Sequence, residues 1–153
     1  MEKEAYSPDR EADQTLLGAM LGLWRLEIGP DSEKRLYVNQ IMRDLMGLTG
    51  TETPEQTDVI LNARIFPEDR TLFHGYQRNL AEQGRDEITY RWIHPTKGVV
   101  YFRCGGWREQ DAGNGLVFRG YHQDITEIMR RQSLTQEAMR LLKDRYYRIS
   151  YLD

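Results

Sequence analysis

A chain of 153 residues, 39% hydrophobic and 29% charged, is of one-domain length and long enough to bury a core. Its formal net charge of −3 gives no electrostatic reason to expect nucleic acid or an anionic membrane. A single cysteine, Cys104, excludes an internal disulfide framework and fits a reducing compartment. The longest nearly apolar run, residues 16–24, is too short to span a bilayer and lacks a cleavage site, so the chain reads as cytoplasmic.

Residues 1–6 are charged and read as a frayed end. Ser7-Pro8-Asp9 has the form of a helix start, and Leu16, Leu17, Met20 and Leu21 give the helix an apolar stripe that must dock on something. Gly22 ends it. Residues 23–28 alternate, with Trp24, Leu26 and Ile28 on one face, and residues 35–38 return after the Gly29-Pro30-Asp31-Ser32 turn as an antiparallel partner. Asn39 caps a short helix whose Ile41, Met42, Leu45 and Met46 point inward, and Gly47 closes it. Thr53-Pro54 opens a second short helix carrying Val59, Ile60 and Leu61. Asp69 or Thr71 caps a third, to about Gln83, with Leu72, Phe73, Tyr76 and Leu80 inward.

After Gly84 the period changes to two. Residues 87–94 put Ile88, Tyr90 and Trp92 on one face, and Pro95-Thr96-Lys97-Gly98 turns the chain into a strand over 99–107. Gly105-Gly106 within it predicts a bulge or a close backbone approach. A second hairpin loop, residues 111–115, leads to a fifth strand over 116–123. The strand runs directly into a long helix. Asp124 followed by Glu127 has the form of a capping box, and no Pro or Gly follows before Asp153. The expected class is α+β: a five-stranded antiparallel sheet with short helices over one face, an N-terminal amphipathic helix and a long C-terminal helix. A strand welded to a capped helix can pass movement of the sheet to whatever the helix carries.

Several local signatures carry a family resemblance. Tyr37-Val38-Asn39 followed by Leu45-Met46-Gly47, then Ile65-Phe66-Pro67-Glu68-Asp69-Arg70, Tyr90-Arg91-Trp92, Gly98-Val99-Val100-Tyr101-Phe102 and the closing stretch from Gly120 to Asp124-Ile125-Thr126-Glu127 together resemble a PAS domain over roughly residues 22–127. Phe66 stands where the family usually has His. The resemblance implies a sensory and dimerisation module without catalysis of its own, with flanking segments at 1–21 and 127–153 around a sensor at 22–126.

It also implies a ligand pocket between sheet and helices, for which Met42, Met46, Phe73, Tyr76, Tyr90, Trp92, Phe102 and Phe118 are candidates; a filled core is the simpler reading of the same residues. Asp124, Thr126 and Glu127 are the expected signal relay. A flavin is disfavoured at this stage, since the helix after Asn39 holds no cysteine. Haem-binding members carry their axial His on the third helix, which makes His74 the residue to weigh, although the inward stripe leaves it to one side. His94 and His122 read as half-exposed surface groups, and no cluster has metal-ligand spacing.

Ile125, Ile128, Gln132, Thr135, Met139, Leu142, Tyr146 and Ile149 recur in steps of three and four, the seam of a parallel coiled-coil homodimer. Ile149-Ser150-Tyr151-Leu152-Asp153 resembles the entry to GGDEF diguanylate cyclase domains, which implies a covalently linked cyclase output; a histidine kinase is the competing output. A ketosteroid-isomerase-like α+β enzyme using Asp124 or Glu87 as base is the catalytic alternative.

Overall fold

The structure is a computed structural model that describes residues 19–109, 113 and 115–150. The expected N-terminal helix over residues 7–21 lies almost wholly outside the described residues, as do the last three residues of the chain.

Five antiparallel strands form one sheet: β1 (Gly22–Ile28), β2 (Lys34–Val38), β3 (Arg85–His94), β4 (Gly98–Arg108) and β5 (Leu116–Asp124), in the spatial order β2-β1-β5-β4-β3. The β1–β2, β3–β4 and β4–β5 pairs are hairpins. β5 then closes the sheet by returning beside β1, with Trp24 opposite Gly120 and Leu26 opposite Phe118. Between β2 and β3 the chain makes helices α1 (Gln40–Met46), α2 (Pro54–Ala63) and α3 (Arg70–Gln83), with a 3-10 turn at Pro67–Asp69. After β5 comes α4 (Thr126–Ser150).

Local chemistry sets each helix end. Asn39 Oδ1 accepts from Met42 N–H at 2.9 Å and from Leu23 N–H at 3.0 Å, so one side chain caps α1 and pins it to β1. Gly47, at φ 66°, ends α1 in the left-handed region that Gly adopts without a Cβ clash. Thr53 and Gln56 form a full capping box at the start of α2. Asp69 does not cap α3 as expected. Its carboxylate instead turns to β3, where it accepts from Nη2 and Nε of the Arg91 guanidinium at 2.7 and 2.9 Å and from the Arg91 backbone N–H at 2.8 Å. A bidentate charged partner outcompetes a cap, which accepts only neutral amides.

The core lies between the inner sheet face and α1–α3. Trp92 and Phe102 are fully buried with ring centroids 5.6 Å apart, and Trp92 Nε1 donates to Leu61 O at 2.9 Å, tying β3 to α2. On α3 the expected Leu72 is exposed, as is Val59 on α2; Phe73, Tyr76 and Leu80 alone make the α3 inward stripe. The β3–β4 register runs unbroken through Gly105-Gly106, so no bulge forms there. The alternative expectation holds. A Cβ on Gly106 would meet Tyr76 OH at 2.6 Å, and one on Gly120 would meet Gly105 O at 2.1 Å and Trp24 at 2.3 Å. The bare backbone there lets Trp24 lie across β5 and β4.

Candidate functional site: the core cavity and the strand-to-helix joint

All eight predicted pocket residues are buried, none more than 4% exposed. Most serve as packing. Met42, Met46, Tyr90, Trp92, Phe102 and Phe118 fill the space beneath the helices, while Phe73 and Tyr76 line a cavity of about 40 Å³. The other walls of that cavity come from Trp24 on β1, Cys104 on β4 and His122 on β5, with Leu26, Leu36, Leu61 and Leu80. Asp58 and Asn62 of α2 and Gln77 of α3, each half-buried, also border it. Asn62 Nδ2 donates to Asp58 Oδ1 at 3.2 Å.

His122 corrects the sequence reading. It is 1% exposed, with Nε2 2.7 Å from Tyr90 OH, and its ring packs edge-on against Phe102. Burial lowers its pKa to about 3, so the ring is neutral. Strand alternation held the signal. With Phe118 facing inward, Gly120 and His122 follow on the same face. His94 is buried as well; its Nδ1 accepts from Thr96 N–H and Lys97 N–H, both at 3.1 Å, which closes the β3–β4 turn. Desolvation lowers its pKa, helped by Lys97 and Arg64 nearby.

Cys104 sits directly opposite His122 in the β4–β5 register and donates to Tyr76 OH at 3.3 Å. Burial pushes its thiol up to about 12, so it is a neutral thiol rather than a reactive thiolate. Tyr76 and Tyr90 are raised for the same reason, desolvation, and stay protonated. His74 is exposed on α3 and does not face the cavity, so it is not placed to ligate a group held in the core. Among the described residues no group of three or more His, Cys, Asp or Glu could hold a metal.

The joint lies where β5 leaves the sheet. The expected capping box is not formed. Asp124 Oδ1 accepts from Thr126 N–H at 2.9 Å and from Thr126 Oγ1 at 2.5 Å, closing a local loop one step before the helix. Glu127 turns away and pairs with Arg130 and Arg131 on its own helix. The first intrahelical bond is Met129 N–H to Ile125 O at 2.9 Å, and buried Ile125 anchors the helix start in the domain. Ile125 N–H donates to Tyr101 O at 2.9 Å, while Tyr101 N–H donates to Thr126 Oγ1, also at 2.9 Å. The β4–β5 ladder thus continues past the last strand pair, Phe102 with Asp124, through one backbone bond and one side-chain bond.

Beyond the joint, α4 leaves the domain, and every residue over 131–148 is exposed, including Leu134, Met139, Leu141 and Leu142. No helix among the described residues is long and apolar enough to cross a membrane.

No family model matches the chain, and no curated protein matches it. Solved structures do match in fold. One is a sensory box histidine kinase/response regulator from Burkholderia thailandensis E264, at 19% identity and TM-score 0.68, covering 88% of this chain and 98% of that chain. Another is the N-terminal domain of a diguanylate cyclase with PAS/PAC sensor from Marinobacter aquaeolei, at 20% identity and TM-score 0.55, covering 71% and 98%. A third is a light-oxygen-voltage domain studied with a flavin analogue, at 15% identity and TM-score 0.57, covering 85% and 96%.

These likenesses show a PAS-type fold, here a five-stranded antiparallel sheet with short helices over one face and a long helix after the last strand. They also overturn the expectation that disfavoured a flavin. Light-oxygen-voltage domains recur among the matching structures, one of them studied with a flavin analogue, so this fold gives no ground against a flavin. In the present packing the core cavity lined by Phe73, Tyr76 and His122 measures about 40 Å³, and a ring system enters it only if side chains move.

Proposed function

We propose that the chain is the sensory module of a larger signalling protein, in which residues 22–126 detect a small molecule in the core and residues 127–153 carry the result to a linked output domain. The observation that supports this reading most is the joint. Tyr101 of β4 holds both Ile125 and Thr126, so a shift of the sheet moves the first turn of α4 with it. A histidine kinase is the favoured output, because the sensory box kinase matches at a higher TM-score and over more of this chain than the cyclase sensor does. A diguanylate cyclase is the second reading, supported by that cyclase sensor and by Ile149-Ser150-Tyr151-Leu152-Asp153 in the sequence.

Either output acts as a pair, and α4 offers the surface for pairing. Leu134, Met139 and Leu142 are exposed, and Met139 and Leu142 lie on the heptad-like seam. The test is to join residues 19–150 in frame to a kinase transmitter and compare autophosphorylation for the wild-type sensor and for Thr126→Val. A changed kinase level supports the relay; identical levels in the two fusions count against it.

A further inference from the structure

The wall formed by Trp24, Tyr76, Cys104 and His122 has more hydrogen-bond donors than acceptors. Tyr90 and His122 share one bond across 2.7 Å, and two proton arrangements fit it. If His122 Nε2–H donated, the Tyr90 hydroxyl hydrogen would be left without an acceptor and the Nδ1 lone pair without a donor. If Tyr90 donates, the ring carries its proton on Nδ1 and only that N–H is unpaired. Buried polar groups are costly to leave unpaired, so the second arrangement prevails.

His122 Nδ1 has no partner in the structure, and Trp24 Nε1 has none but the weakly accepting Cys104 sulfur beside it. Both residues line the cavity. Tyr76 OH already accepts from the Cys104 thiol, which leaves its own hydrogen as a third donor on the same wall. The remaining lining is apolar, except for Asp58, Asn62 and Gln77. A cation would find no acceptor on the Trp24–His122 wall, and an anion would be buried without a counter-charge and with Asp58 close by.

We propose that this cavity binds an uncharged molecule of two or three non-hydrogen atoms, whose lone pair accepts from His122 Nδ1–H and Trp24 Nε1–H. The volume sets the size: about 40 Å³ exceeds the roughly 10–15 Å³ a single water needs, and it falls far short of a drug-sized pocket. This names the ligand class for the sensory reading and rests on that reading for its purpose only. His122 stands two residues before Asp124 on β5, so a bond at Nδ1 acts on the strand that ends in the joint.

Acetonitrile is a suitable probe, since it is neutral, has three non-hydrogen atoms and only accepts. It is titrated into the 153-residue chain, and the histidine ring nitrogens and tryptophan indole N–H groups are followed by NMR. The expected result is a protonated His122 Nδ1, and saturable shifts of that signal and of the Trp24 indole signal. Ethane, of similar girth without a lone pair, should leave the Nδ1–H shift nearly unmoved. Trp24→Phe keeps an aromatic six-membered ring but removes the five-membered ring of the indole with its N–H donor, so acetonitrile should bind it about tenfold more weakly. His122→Phe removes the other donor; if that variant fails to fold, the wild-type and Trp24→Phe titrations still decide. Shifts that grow linearly without saturation, equal effects of ethane, or a proton found on Nε2 would overturn the proposal. No output domain takes part, so failure here is distinct from failure of the relay.

Discussion

The backbone N–H of Tyr101 on β4 donates to Thr126 Oγ1, a side chain of the exit helix, at 2.9 Å. A side chain thereby occupies a place that a strand carbonyl would take in a continuing ladder. The same hydroxyl donates to Asp124 Oδ1, so strand, cap and helix share one oxygen. Removing that oxygen alone breaks both side-chain bonds without changing shape, and leaves the backbone bonds of Thr126 N–H to Asp124 and of Ile125 N–H to Tyr101 O in place.

Thr126→Val should therefore cost about 1–3 kcal/mol, because it leaves the Tyr101 N–H unpaired and takes one of the two donors from Asp124. Asp124→Ala should cost about 1 kcal/mol, since water can reach the half-buried Thr126 groups that it frees. Denaturant unfolding gives both values. Amide exchange at Tyr101 should quicken in Thr126→Val; an unchanged rate would mean that another acceptor serves that N–H.

The Asp69–Arg91 pair predicts an acid dependence. The Arg91 hydrogen bonds hold the Asp69 carboxyl below its usual range, so its contribution is full above the unfolded pKa near 3.9 and is lost as pH falls through the lower folded value. Asp69→Asn should destabilise the domain by about 1–3 kcal/mol at pH 7. The gap between variant and wild type should close as the pH falls below about 4. Urea titrations at several pH values read both effects.

His122 acts in the next window up. Its folded pKa of about 3 lies below an unfolded value near 6.5, so the unfolded chain binds the proton more readily in between. Stability is full above that window and falls as the pH drops through it, by up to about 1.4 kcal/mol per pH unit for this one group. His122→Phe should flatten that slope, leaving the smaller part of the same sign that His94 contributes. An unchanged slope would place the proton uptake elsewhere.

Gly120→Ala puts a methyl group 2.1 Å from Gly105 O and 2.3 Å from the Trp24 ring. Neither neighbour is the free end of a flexible chain. The variant should lose about 3 kcal/mol or more, with Trp24 fluorescence reporting a displaced ring.

Much of this architecture was legible because short-range chemistry decides it. Asn39, Gly47, Thr53 with Gln56, and Gly84 mark helix ends through their own side chains or a positive φ, and period-two alternation marks the strands. What was not legible depended on competition between partners far apart in the chain. Asp69 looked like a cap until Arg91, 22 residues on, offered two charged bonds. Asp124 paired with Glu127 in sequence, yet buried Ile125 fixes the helix start so that Thr126 meets the carboxylate first. His122 was misplaced because a polar residue near a strand end suggests a surface position. Its burial follows from Tyr90 on β3, two strands away, which supplies its hydrogen bond.

Pairing of α4 is tested by sedimentation of the 153-residue chain. A dimer whose strength falls with Leu142→Glu supports the exposed seam; a monomer at high concentration with the helix intact contradicts it.

The central claim is that the state of the core reaches α4 through the Tyr101–Thr126 bond, and one comparison of amide spectra tests it most directly. His122→Phe, made alone and in the Thr126→Val background, perturbs the cavity at a residue that does not belong to α4. The account predicts shifted or faster-exchanging amides in the first turn of α4, residues 127–131, for His122→Phe alone, and a much smaller change once Thr126 is Val. Equal changes in both backgrounds, or none in either, would contradict it.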